Sequence, residues 1–267
     1  MIKFINSVVF SCILGFTGML NAQEIANGQV LSRDLLTNDA KKAAEFYSAL
    51  FGWKMVQKEK FISLEKEGQL MADVIEVDSK KQPIWVPLFA YDKLDKAKEI
   101  ILKNGGTVLR DVKQTEGIGD YLLLRDQENA LFVLTNVDDN YVKPKFPQVN
   151  EWLWDEIWSF DVEGSQAFYT QLFDYEVEKF PSGYVLFTHK KEWLSGLLQN
   201  PFESSRTQWG STIRVNDPIK TSEEAVRLGG KILVSGEALK GPKNEAILAD
   251  PTGAVFIVQK YEEQEQK

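Results

Sequence analysis

One cysteine and one histidine occur in 267 residues, and their scarcity removes several kinds of chemistry. A disulfide framework needs paired cysteines, and thiolate metal sites or redox motifs need them at short spacings. Cys12 lies inside an N-terminal apolar run, so a chain processed beyond it keeps no thiol nucleophile and no thiolate ligand. His189 stands beside Lys190 and Lys191 at an apparent hairpin turn, the setting of a solvated imidazole rather than of a ligand or base. Nothing places a nucleophilic serine and an orienting carboxylate with it. Basic charge is also in deficit: 31 Lys and Arg against 39 Asp and Glu give a formal charge of −8. With no basic stripe to release counterions, a nucleic-acid partner is excluded.

Long apolar runs are scarce as well. The only one, Val8 to Leu20, is shorter than the roughly 20 residues that span a bilayer. Lys3 precedes it and Asn21-Ala22-Gln23 follows, the layout of a secretory signal peptide cleaved after Ala22. The run continues from Ile13 to Leu20 beyond Cys12, which argues against lipidation there. Residues 1–22 are therefore expected to be a signal peptide, and the protein periplasmic or secreted with no stable membrane anchor after cleavage. The alternative is an uncleaved anchor.

What the chain does contain is a repeat. Asn38 to Trp53 reads as a helix with Asp39 as cap, an apolar face of Ala43, Phe46, Tyr47, Leu50 and Phe51, and Gly52 as stop. The pattern returns from Asp161 to Tyr175, with Phe168, Tyr169, Leu172 and Phe173 on the same face. Further along, Gly229 answers Gly105 and Asp250 answers Asp126, so the halves match along their length. Each half reads twice as strand, helix and three strands. Short strands are expected from Val30 to Thr37, Lys54 to Gln57, Phe61 to Glu65 and Leu70 to Val77 in the first unit. Ile84 to Tyr91, a helix from Leu94 to Lys103 and three more strands form the second. In the turns Arg125 to Phe132 and Ala249 to Phe256, Asn129 and Gly253 sit where a positive backbone angle is wanted. The expected organisation is a first domain over 28–137, a linker over 138–150, a second domain over 151–260 and a polar tail over 261–267.

Four such units, an Asp-capped helix running into Phe-Tyr, Leu-Phe and Gly-Trp, and a closing Asp-Pro-Thr-Gly-Ala hairpin resemble the vicinal oxygen chelate superfamily. That group includes glyoxalase I, extradiol dioxygenases and bleomycin- and fosfomycin-resistance proteins. The resemblance spans residues 30 to 260. It implies an α+β fold of four βαβββ units forming two tandem glyoxalase/bleomycin-resistance-like domains, each with a cupped sheet.

The resemblance also implies a divalent metal held by His, Gln or Glu of first and last strands. The first-strand ligand is expected seven residues before the helix-capping Asp, which falls on Ser32, Trp85, Trp154 and Gly210. The last-strand position falls on Val133 and Ile257, with Asp73 or Glu76 and Leu197, Leu198 or Gln199 in the other units. None of the first-strand residues is a usual ligand, and a transition-metal site needs three or four donors. No cofactor is expected on this reading.

Strand alternation places Trp154, Glu156 and Trp158 on one face, with Thr212 and Arg214 across from them. If those faces point inward, they make an aromatic-walled pocket with one acid and one base, suited to a small aromatic or amphipathic ligand. Alternatively the tryptophans fill the cup as core and Glu156 pairs with Arg214. In the first domain Ser32 and Asp34 share a face, and Trp85, Pro87 and Phe89 share another, making Trp85 a candidate ligand wall. Asp34 and Glu156 are candidate catalytic acids or bases. Two functions follow: an exported, metal-independent binding protein, or a metal-dependent lyase or dioxygenase with a non-standard site near Asp34 and Glu76.

Overall fold

A computed structural model describes residues 25–78, 80–113, 120–136, 147–203, 206–234 and 244–261. The expected signal peptide, residues 138–146 of the linker and residues 262–267 of the tail lie outside them. Among the described residues no helix is long and apolar enough to cross a membrane.

The first half runs β1 (Val30–Thr37), α1 (Ala40–Phe51), β2 (Lys54–Gln57), β3 (Ile62–Lys66), β4 (Gln69–Glu76), β5 (Ile84–Ala90), α2 (Leu94–Lys103), β6 (Thr107–Val112), β7 (Tyr121–Arg125) and β8 (Leu131–Thr135). The second half repeats it: β9 (Trp152–Ser159), α3 (Val162–Phe173), β10 (Glu176–Lys179), β11 (Val185–His189), β12 (Glu192–Gln199), β13 (Gln208–Arg214), α4 (Pro218–Arg227), β14 (Lys231–Val234), β15 (Glu245–Ala249) and β16 (Val255–Gln259).

Local chemistry sets the helix ends. The Asp39 carboxylate accepts from the Lys42 amide and Asp161 accepts from Gly164, each satisfying an orphan donor of a first turn. Gly52 ends α1 at φ 74°, a left-handed angle that costs glycine no Cβ clash. Asn129 (φ 71°) and Gly253 (φ 103°) turn the two closing hairpins as the sequence suggests.

Each half folds into one eight-stranded sheet, in the orders β2-β3-β4-β1-β5-β8-β7-β6 and β10-β11-β12-β9-β13-β16-β15-β14. The first strands of the two units meet antiparallel at the centre, β1 against β5 and β9 against β13. The helix-facing side of each sheet forms the main core. Leu35, Leu64 and Val74 pack under Phe46, Tyr47 and Phe51 in one half, and Ile157, Phe187 and Leu197 under Phe168, Tyr169 and Phe173 in the other.

These cores are not confined to one half. Phe256, Ala225 and Ile213 of the second half join the core of α1, while Phe89, Phe132 and Leu124 of the first join that of α3. The helix-facing sides of the sheets therefore pack toward each other, and the two cupped faces are separate. The opposite face of the first sheet holds Leu36, Ile75, Val86, Leu88, Leu123 and Val133, and that of the second holds Trp158, Ile247 and Ile257.

The helix tyrosines extend this exchange. Tyr169 donates to Asp126 Oδ2 of the other half at 2.8 Å. Its counterpart Tyr47 accepts from Trp85 Nε1 at 3.1 Å, and burial followed by the nearby Asp250 pushes its phenol pKa well up. The hairpin aspartates thus do more than shape their turns: they reach the helix of the opposite half.

Candidate functional site

Glu156 lies at the middle of the second cup. Its Cα partners on both neighbouring strands are glycines, Gly196 on β12 and Gly210 on β13. Neither place has room for a side chain. A Cβ on Gly196 would meet the Tyr184 hydroxyl at 1.8 Å, and one on Gly210 would meet the Trp158 ring at 2.8 Å. The two vacated positions let these aromatic groups lie beside the carboxylate. Trp158 Nε1 donates to Glu156 Oε1 at 2.7 Å, Tyr184 Oη donates to Oε2 at 3.4 Å, and Trp154 Nε1 donates to Tyr184 Oη at 2.8 Å.

The electrostatics match this enclosure. Burial pushes the Glu156 carboxyl up to about 7, with Glu245 adding to the rise while the bonds from Trp158 and Tyr184 oppose it. Burial also raises Glu245 and Tyr184. Glu156 and Trp154 remain partly exposed, whereas Trp158 and Thr212 are buried. A half-protonated acid between an indole N–H and a phenol can donate or accept a hydrogen bond near neutral pH.

Trp154, Glu156, Trp158 and Thr212 therefore come together as the strand pattern suggests. Arg214 does not join Glu156. Its Nη1 donates to the Pro147 carbonyl at 2.6 Å and its Nε to that of Tyr261 at 3.0 Å, so it ties the domain entry to the chain end. Tyr184, Gly196 and Glu245 were not singled out from sequence. A glycine between Ser195 and Leu197 inside an apolar strand is the signal that was available, since it marks a close approach.

In the first cup Asp34 takes the position of Glu156, and its surroundings are different. It is 2% exposed, its Oδ2 has no hydrogen-bond partner among the described residues, and its Cα partner on β4 is Asp73. Burial and then the Asp73 charge raise its pKa well above the carboxylate range. It is neither solvated nor paired with an arginine. Asp73 accepts from Ser63 at 2.7 Å.

Trp85 is a correction. It pairs with Leu35, so it faces the helix core under Tyr47, and the cup-facing residues of β5 are Ile84, Val86 and Leu88. The count of seven from Asp92 fails because Lys93, not Asp92, is the N-cap of α2, without a side-chain cap bond. Asp92 instead accepts from Asn27 Nδ2 at 2.9 Å. Glu76 is a second correction: it is exposed and accepts from the Ala40 amide at 3.3 Å, at the start of α1 rather than in the cup.

The residues present do not fit the divalent metal that the resemblance implies. Counting from the true caps gives Ser32, Val86, Trp154 and Gly210, and the last-strand positions Val133 and Ile257 are buried and apolar. At Gly210 the Trp158 ring takes up the space of a ligand side chain. Among the described residues no group of three or more His, Cys, Asp or Glu converges.

No family model matches the chain. It is 22% identical over 242 residues to a protein named "Putative glyoxylase CFP32" in Mycobacterium bovis and in Mycobacterium tuberculosis, covering 85% of this chain and 92% of each relative. The structure is similar to a Mn(II)-bound glyoxalase from Novosphingobium aromaticivorans, with TM-score 0.64, 12% identity, and 89% of this chain and 83% of that one covered. It is also similar to a variant of homoprotocatechuate 2,3-dioxygenase from Brevibacterium fuscum, with TM-score 0.59, 14% identity, and 93% and 75% covered. The shared architecture is that of two mixed eight-stranded sheets, each built from two βαβββ units. The chain thus has the vicinal oxygen chelate fold, as two tandem glyoxalase-like domains.

Proposed function

We propose that the protein binds a small aromatic or amphipathic molecule in its second cup, without a metal, and that it does so outside the cytoplasm. The observation that carries the binding reading is the Gly196–Glu156–Gly210 row. Two strands give up their side chains so that Tyr184 and Trp158 can flank one partly exposed acid. Such an arrangement leaves the partly exposed Tyr184 and Trp154 rings for stacking, with the buried Trp158 holding the acid and Glu156 as the polar group that fixes orientation. The first cup lacks it, since Asp34 is sealed from solvent beside Asp73. Export is supported by the apolar run from Val8 to Leu20 with Lys3 before it.

A metal-dependent lyase or dioxygenase would use the same fold, but the donors at its ligand positions do not suit one. A thermal-shift screen of aromatic compounds against the wild type and Tyr184→Ala, a change in the cup and not in the space between the halves, tests the binding reading. Hits that shift the wild type and fail to shift the variant are the expected result. Hits that shift both equally would place the ligand elsewhere, and a stoichiometric divalent ion surviving dialysis would overturn the metal-free reading. N-terminal sequencing of the protein recovered from the producing cell should begin at Gln23; a start at Met1 would remove the export reading.

A further inference from the structure

A second concavity lies between the halves. It encloses about 410 Å3 and is lined by residues of β1, β4, β9 and β12, among them Leu31, Leu70, Leu153, Trp154, Trp193 and Leu194. That volume is within the range of about 300–1,000 Å3 usual for small-molecule pockets, which often form where two domains meet.

Its chemistry is set by charges that cancel. Arg33 and Asp155 both border it, yet they are committed to each other: Arg33 Nε donates to Asp155 Oδ1 at 3.0 Å, and Arg33 Nη2 donates to Oδ2. The Arg33 guanidinium also stacks over the Trp152 ring at 4.8 Å. Glu151, another bordering acid, is bonded by Lys66 Nζ at 2.9 Å and by the Gln148 amide at 2.8 Å. What faces the space is aliphatic and indole surface together with a smaller but comparable polar share, to which Gln29, Ser32 and Gln69 contribute uncharged groups.

The rim explains an otherwise costly feature. Trp193 is 60% exposed at the start of β12, just after the tight turn in which Lys190 and Lys191 take φ of 48° and 67°. Positive angles at two successive residues fit the two-residue hairpin turn that matches strand twist, so the turn sets the backbone from which Trp193 projects at the start of β12. An exposed indole lining the groove provides the open wall that a ring would stack on.

We propose that this interdomain groove is a second ligand site, distinct from the Glu156 cup but sharing Trp154 with it, for an uncharged amphipathic molecule with a fused or single aromatic ring and one hydroxyl or carbonyl group. A charged congener binds worse because every charge in the wall already has its partner, and desolvating an unpaired ion is costly.

Equilibrium dialysis of the full chain with 2-naphthol, 2-naphthoate and 2-naphthylmethylammonium tests it. The expected result is binding of 2-naphthol, with both ions weaker by about tenfold or more, the factor that 1.4 kcal/mol of desolvation gives. Trp193→Ala, a surface change that spares the fold, should lower 2-naphthol affinity by a similar factor, and Leu31→Trp should block it while thermal melting checks folding. Ile219→Ala, an exposed change on α4 away from both concavities, should leave it unchanged. Equal binding of the ions, or 2-naphthol affinity that ignores Trp193→Ala, overturns the proposal. Loss of binding in Glu156→Gln with none in Trp193→Ala also overturns it while leaving the cup reading intact. A concentration-dependent dimer in sedimentation that Trp193→Ala abolishes would assign the groove to a second copy of the chain instead.

Discussion

Arg33 and Asp155 occupy the same position of the two halves, 122 residues apart, and their side chains bond each other in the interior. Equivalent residues can touch only beside the axis that relates the repeats. The pair marks that axis, with Ser211 Oγ also donating to Asp155 at 2.7 Å. Replacing Arg33 by Met leaves a buried carboxylate without its cation, which costs about 3–5 kcal/mol. In a protein of this size that lowers Tm by about 6–20 °C. Arg33→Met with Asp155→Leu should recover most of the loss, and calorimetry of the three variants measures it. A double variant no more stable than the single one would contradict the account.

Tyr169→Phe should weaken the joint between halves. The change removes one donor from the buried Asp126 carboxylate, which keeps its backbone bonds from Glu128 and Ala130. A loss of about 1–3 kcal/mol is expected. Because the cores are shared across the halves, unfolding should stay a single transition in both proteins. Two separate calorimetric peaks in the wild type would show that the halves fold alone.

Stability should fall as pH rises from about 4 to 7. Burial raises Glu156 to about 7 and Asp126 to about 6, so the folded protein holds protons that the unfolded chain has already released in that window. The unfolded state binds fewer protons there, and the slope of unfolding free energy against pH is negative. Glu156→Gln should flatten the upper part of the curve. It should also abolish any change in tryptophan emission with a midpoint near 7, since the Trp158 indole bonds this carboxylate.

Asp34→Asn should stabilise the protein at neutral pH. The carboxyl is fully enclosed next to Asp73, and its raised pKa means that the fold opposes ionisation. An amide of nearly the same shape carries no such penalty. Each kcal/mol recovered is worth about 2–4 °C in Tm. The gain should shrink as pH falls through about 4 and vanish near about 2–3, where the acid is neutral in both states; a gain independent of pH would point to packing instead.

Gly196→Ala should disable the cup while sparing the rest. The new methyl group displaces the Tyr184 hydroxyl, and with it the bonds to Glu156 and Trp154. Overpacking of this kind costs about 1–3 kcal/mol. Compounds that bind the cup should lose their thermal shift in this variant, while 2-naphthol in the interdomain groove keeps its affinity.

The fold was legible because its signals are local. Asp39, Asp161 and Asp217 each cap a helix within their own sequence neighbourhood, and an internal repeat doubles every such signal. The same ruler slipped at Asp92, where an unrelated bond to Asn27 occupies the side chain and the helix starts one residue later. A one-residue error exchanges the two faces of a strand, which is why Trp85 seemed to face the cup and lies in the core. The Trp154, Glu156 and Trp158 face was readable from alternation alone. Tyr184 and Gly196 were not, because they reach Glu156 from the residue before β11 and from β12, whose register no short spacing encodes.

The sequence by itself determined the order of the elements, the doubling, the unusual residues at the metal positions and the carboxylate at the heart of the second cup. These depend on periodicity, capping and residue type, which are properties of a few neighbouring residues. Only the tertiary structure decided which halves share a core, that Arg33 meets its own counterpart, that Arg214 turns away to backbone carbonyls, and that one cup exposes its acid while the other buries it. Those outcomes rest on contacts between residues far apart in the chain, where shape and desolvation choose among partners that the local pattern leaves equivalent.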